Sequence, residues 1–207
     1  MIKLADFDFD STLMDGETID FLAVEAGVEQ QVSEITERAM QGELDFFESL
    51  IERVALLKGL EQSKVDAIFS QLPLMTGAVE LIQHLKQQGT RVVCFSGGFR
   101  AATSHASKTL GFDADFANEL HVQEGCLSGR VGGEMMFSDS KGIMIQRVQK
   151  LLAITPADTM AVGDGANDLS MFAYADMRVA FCARPVLQAE ATHQVNDKDL
   201  RHILSLL

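Results

Sequence analysis

Asp8 and Asp10 stand two residues apart at the end of an apolar run from Ile2 to Phe9. In an extended chain such a pair points to one side while Phe9 turns toward the core, so two carboxylates converge at one strand end. Carboxylates that close repel unless a proton or a cation separates them. Gly163-Asp164-Gly165-Ala166-Asn167-Asp168 adds two more carboxylates and an amide. Such oxygens suit a hard cation like magnesium, which takes one or two protein carboxylates and keeps places for water and phosphate oxygen. Ser96-Gly97-Gly98 offers a hydroxyl and unobstructed backbone N–H groups, a ready anion site. Lys141 can bring the positive charge that an anion and a carboxylate both need. Each segment alone also fits a plainer role. Asp, Asn, Ser and Gly are ordinary turn and capping residues, and a single lysine, Lys108 and Lys150 included, is normally solvated.

The elements that must position these residues follow from periodicity. Ile2 to Phe9 reads as a buried strand entering a polar loop at Asp10-Ser11-Thr12. From Gly16 to about Leu72 only helical spacing is found, as in Phe46, Leu50, Val54, Leu57 and then Val65, Ile68, Phe69, Leu72, which predicts a helical insertion. After Pro73 and Gly77 a helix through Leu85 ends at Gly89, a strand spans Arg91 to Phe95, and a helix spans Phe99 to Leu110. Leu120 to Val131 reads as a hairpin turning at Glu124-Gly125. A helix from Lys141 to Leu152, a strand from Thr159 to Val162 and a helix from Leu169 to Ala175 come next, and strand, helix and strand signals continue to Leu207. Strands alternating with helices imply an α/β fold, a parallel sheet covered on both faces, with ligands at the carboxyl ends of the strands.

Composition narrows the classes. With 47% hydrophobic and 23% charged residues, the 207-residue chain is an ordinary globular protein, large enough for one main core plus an insertion. A net charge of −13, from 30 acids against 17 bases, disfavours nucleic acid and anionic membrane as partners. It also repels any phosphorylated small molecule unless a local cation intervenes. Cys94, Cys126 and Cys182 are widely spaced and form no CxxC, which points to a reducing compartment. With no apolar signal core in Met1-Ile2-Lys3-Leu4-Ala5-Asp6 and no run of membrane-spanning length, a cytoplasmic location is expected.

Taken together, Asp8-Phe9-Asp10-Ser11-Thr12-Leu13, Ser96-Gly97-Gly98-Phe99, Lys141 and Gly163-Asp164-Gly165-Ala166-Asn167-Asp168 resemble the four ordered motifs of the haloacid dehalogenase superfamily. Asp6-Phe7-Asp8 offers a competing register, but only the Asp8–Asp10 pair is followed by the threonine, Thr12, that the family pattern requires; Asp6 is then a bystander. The resemblance implies a Rossmann-like, doubly wound core of residues 1–14 and 74–207 with a helical cap, 15–73, inserted after the first strand. It further implies that Asp8 attacks phosphorus to give an aspartyl-phosphate and that Asp10 protonates the leaving alkoxide and later takes a proton from water. Magnesium would bind Asp8, the Asp10 backbone carbonyl and Asp164. Ser96, Gly97, Gly98 and Lys141 would hold the phosphoryl oxygens, while Asn167 and Asp168 would orient the metal shell and Lys141. Asp10 must begin protonated, so its pKa is expected to be raised.

Substrate choice should lie in the cap. Glu17 can receive an ammonium group, although an acid early in a helix also suits the helix dipole. Arg53 has no carboxylate three or four residues away on its helix and is free to clamp one with paired hydrogen bonds; an arginine stem that only covers apolar surface is the plainer alternative. Met40 and Phe46 match cap positions that contact substrate in the resembled family. A small ester bearing both ammonium and carboxylate satisfies Glu17 and Arg53, and phosphoserine is the simplest. Phosphothreonine and phosphohomoserine fit the same demands. A phospho-acceptor signalling module also gathers acids and a lysine around magnesium, but has no use for Asp10 or a helical lid.

Overall fold

The computed structural model describes residues 1–207. Its first strand, β1 (Leu4–Phe7), is followed by four helices, α1 (Thr18–Ala26), α2 (Glu29–Met40), α3 (Phe46–Ala55) and α4 (Gln62–Phe69). The alternating part then begins with α5 (Ala78–Gln87), β2 (Arg91–Phe99) and α6 (Arg100–Leu110), and an antiparallel hairpin, β3 (Ala114–Gln123) and β4 (Cys126–Gly133), interrupts it. It closes with α7 (Ser140–Leu152), β5 (Thr159–Gly163), α8 (Leu169–Phe172), β6 (Met177–Phe181), α9 (Pro185–Gln188) and β7 (His193–Val195). After the strand, helix and strand that the pattern predicts, the chain finishes in a 3-10 helix, Leu200–Leu206.

The seven strands lie in the order β4-β3-β2-β1-β5-β6-β7, and every pair except β3–β4 is parallel. Counting the parallel strands alone gives 3-2-1-4-5-6, the doubly wound order, whose switch point at β1 and β5 leaves a crevice beyond the strand ends. β1 is buried on both faces, as a central parallel strand must be. Ala5, Phe7 and Phe9 enter a layer with α5, α6 and the insertion, whereas Leu4 enters a second layer under α7 and α8. Asp6 and Asp8 share the face of Leu4 by the two-residue period.

The insertion leaves and rejoins the sheet at one place. Asp15 N–H donates to Pro73 O (2.9 Å) and Met75 N–H to Leu13 O (2.9 Å), so the two connections run side by side. α3 starts at a capping box: Asp45 accepts from Glu48 N–H at 2.8 Å, and the Glu48 side chain accepts from Asp45 N–H at 3.0 Å. Leu50, Val54 and Leu57 are buried against the core, each worth about 1.5–3 kcal/mol of apolar burial. The hairpin turns at Glu124 and Gly125, both with positive φ (52° and 78°), as a two-residue turn between right-twisted strands requires. No helix is long and apolar enough to cross a membrane.

β2 runs further than its pattern suggested. It stays extended from Phe95 through Phe99, with its pairing to β3 shifted between those residues, so Ser96-Gly97-Gly98 belongs to the strand end and α6 begins at Arg100.

Candidate active site

Beyond the ends of β1, β2 and β5 lies a cavity of about 690 Å³, roofed by α1, α2 and α3. Asp8 follows β1 by one residue and Asp164 follows β5 by one, so adjacent parallel strands deliver both carboxyls to the same edge. Behind them Lys141, at the start of α7, is 3% exposed and donates to Asp8 Oδ1 and Asp168 Oδ1, each at 2.5 Å. Asp168 is wholly buried, and its second oxygen accepts the backbone N–H groups of Asp164 and Gly165, both at 3.0 Å. That carboxylate therefore fixes both the lysine and the loop that carries Asp164. A Cβ on Gly163 would stand 2.3 Å from Asp168 Oδ2, so the close approach requires glycine there.

Asp10 is held by a different set. Its Oδ1 accepts the Thr18 backbone N–H at 2.5 Å and its Oδ2 accepts from Ser96 Oγ at 3.3 Å. Thr18 opens α1, so Asp10 satisfies a free helix N-terminus from across the loop and ties the roof to the floor. Ser96 Oγ in turn accepts from Gly98 N–H at 2.9 Å. Thr18 was not singled out from sequence; no spacing rule relates a helix-opening threonine to an acid eight residues earlier.

The sequence-predicted residues divide into three groups. Asp8, Asp10, Asp164, Gly97, Gly98 and Asn167 line the floor of the cavity, and Glu17, Met40, Phe46 and Arg53 line its roof. Ser96, Lys141 and Asp168 are buried behind the floor. Phe46 lies over Gly97, where a Cβ would stand 2.9 Å from its Cζ. Arg53 donates through Nε to Ser49 O at 3.2 Å and has no ion-pair partner, although Glu17 and Asp20 are near enough to stabilise its charge. Glu17 accepts from Ser11 Oγ at 2.8 Å; Ser11 itself has a positive φ of 58°.

Four carboxyls, those of Asp8, Asp10, Asp164 and Asp168, face one ammonium. Burial pushes Asp8 well above the usual carboxylate range, and Asp168, Asp164 and Asp10 add to this against Lys141. Burial and then Asp168 raise Asp164 to about 6. Burial alone would lower Lys141, but Asp168 and Asp8 outweigh it and hold its pKa up. Burial raises Asp10 too, opposed by the Thr18 N–H and hydroxyl. Burial and then Asp10 raise Glu17 to about 8, opposed by the hydrogen bond from Ser11.

This surplus of negative charge is what a cation would relieve. Oxygens of Asp8, Asp164 and Asp168 all lie within 4.8 Å of one another, and hard carboxylate oxygens fit a hard divalent ion. Both Asp168 oxygens are already engaged, which leaves Asp8 and Asp164 to face it.

Residues 2–176 match the haloacid dehalogenase-like hydrolases, and the chain belongs to that family. Within it, the chain is 61% identical over 206 residues to the phosphoserine phosphatase of Wolinella succinogenes, covering 100% of both chains. It is 46% identical over 205 residues to that of Methanocaldococcus jannaschii, covering 99% of this chain and 97% of the other. Of solved structures, a phospho-aspartyl intermediate analogue of phosphoserine phosphatase superposes with a TM-score of 0.94 at 46% identity, over 100% of this chain and 99% of that one. A substrate-bound phosphoserine phosphatase complex gives 0.95 at 45% identity over the same shares.

Proposed function

We infer that this phosphoric monoester hydrolase converts O-phospho-L-serine to L-serine and phosphate through an aspartyl-phosphate on Asp8. The observation that carries the reading is the Asp168–Lys141–Asp8 chain at the floor of a cavity whose roof presents Glu17 and Arg53. Relatives named for this activity match the chain end to end, and the product places the reaction at the end of serine biosynthesis. The three thiols are free, in keeping with a cytoplasmic setting.

Asp8 attacks the phosphorus, and Lys141 favours the ionised form of the attacking carboxylate and offsets charge on the phosphoryl oxygens. The backbone N–H groups near Gly97 and Gly98, with Ser96 beneath them, receive those oxygens. Asp10, raised by burial, gives its proton to the serine alkoxide as it leaves and afterwards takes one from the water that cleaves the acyl phosphate. Asn167 and Asp168 hold the floor in register. Residues 15–73 act as the cap: Arg53 clamps the substrate carboxylate, Glu17 receives its ammonium, and Met40 and Phe46 contact the substrate. Magnesium would be held by Asp8, the Asp10 backbone carbonyl and Asp164, and would supply there positive charge to neutralise the phosphoryl group.

Rapid acid quenching of enzyme with phosphoserine labelled in its phosphate tests the route. Label is expected on the wild-type protein as a base-labile acyl phosphate and absent from Asp8→Asn; equal label on both would exclude Asp8 as nucleophile.

A further inference from the structure

α3 brings Phe46, Ser49, Leu50 and Arg53 to the cavity, yet its two ends are held to the sheet domain in different ways. Just past its C-terminus the chain pairs with the β3–β4 hairpin. Gly59 N–H donates to Leu127 O at 2.9 Å, Leu127 N–H to Leu60 O at 2.8 Å and Gln62 N–H to Gly125 O at 2.9 Å. Gly129 sits so close that a Cβ there would be 3.0 Å from Lys58 Cβ and 3.2 Å from Ala55 O. At the N-terminal end no backbone hydrogen bond reaches the sheet domain, and the ties are the packing of Phe46 over Gly97 and one aromatic stack. Phe47 stacks on Phe137, from the segment between β4 and α7, with ring centroids 5.1 Å apart and planes 11° apart.

Both rings keep solvent contact, Phe47 at 37% and Phe137 at 58% exposure. Neither is locked in a core, whereas parting the hairpin pairing breaks three backbone hydrogen bonds together. The neighbours of the two rings face the chemistry: Phe46 packs over Gly97 and Ser138 lines the cavity. An offset aromatic pair shifts a two-state equilibrium by about two- to tenfold. That is enough to bias a roof toward closure and too little to seal it against substrate.

We propose that the Phe47–Phe137 stack is a clasp that closes the helical roof over the catalytic cavity, with the pairing of 59–62 to 125–127 as the fixed side on which α2 and the N-terminal end of α3 swing. The two rings are positioning residues for the phosphoserine reaction, and the assignment rests on that functional reading. They touch no reacting atom; they hold Phe46 over Gly97 and bring Arg53 into reach of the substrate.

The test is a double-mutant cycle in the full-length magnesium-loaded protein, with kcat and KM for L-phosphoserine measured separately. Phe47→Ala and Phe137→Ala are each expected to raise KM about three- to tenfold, with kcat within about twofold of wild type. The double variant is expected to be no worse than the worse single one, because both remove the same contact. Phe137→Tyr, which keeps a ring to stack, should retain the wild-type KM, and thermal melts should stay close to wild type for all variants. Additive effects of the two alanine changes, an unchanged KM, or a fall in kcat alone would overturn the clasp. A wild-type protein inert toward phosphoserine would instead remove the functional reading beneath it.

Discussion

Lys141 takes one positive charge into a place where Asp8 and Asp168 both reach it at 2.5 Å, and the proposed chemistry turns on that shortage of cations. Asp6 is the instructive contrast. It is fully buried on the same strand face, and neither of its oxygens has a partner. Burial raises its pKa well above the usual range, which favours its neutral form. Nothing in the proposed chemistry uses it. Asp6→Val is therefore expected to stabilise the protein by about 1–3 kcal/mol, the cost of an unsatisfied buried polar group, with kcat within about twofold of wild type. A denaturant melt showing a higher midpoint at an unchanged slope would bear this out, and a lower midpoint would show that Asp6 has a partner after all. The acids of the site were legible in sequence because their types and two-residue spacing already imply convergence. Thr18 and the Phe47–Phe137 pair were not, since each contact joins segments that only the folded chain brings together.

At the scale of elements, the strand ends do the positioning. β2 continues past Phe95 so that Gly98 lies against Asp10 and Thr18; a Cβ there would stand 2.6 Å from both Asp10 Oδ2 and Thr18 Oγ1. Gly98→Ala must then displace the acid or the start of α1. A loss in kcat of about a hundredfold or more is expected, since an ångström at the chemistry costs that much, while the melting temperature shifts by only a few degrees. Steady-state kinetics beside a thermal melt separates the two effects. The helices of the insertion were readable because a buried stripe at helical spacing, Leu50, Val54 and Leu57, needs no partner sequence to be recognised. The extension of β2 was not readable, because Ser96-Gly97-Gly98 has no side-chain alternation and looks like a turn. The 3-10 ending at Leu200–Leu206 likewise depends on packing against α5, which local pattern does not encode.

For the whole molecule, a net charge of −13 makes cation binding a matter of stability as well as of catalysis. The folded-state pKa of Asp164 is about 6 against an ordinary 3.8, and Asp8 and Asp10 are raised as well. Without a cation the folded state thus holds protons that the unfolded chain releases. That contribution is complete below the unfolded value and is lost as pH rises through the folded one. The chelated protein is expected to melt lower at about pH 8 than at about pH 5, and magnesium to restore more at the higher pH, by about 3–6 °C. A magnesium effect independent of pH would mean that the ion does not replace protons on these acids. The central claim is tested most directly by phosphate release from L-phosphoserine, comparing wild type with Asp8→Asn, each with magnesium and with excess chelator. Turnover by magnesium-loaded wild type is predicted, with a fall of about a thousandfold or more in Asp8→Asn and a comparable collapse on chelation. Hydrolysis that survives either change would contradict the account.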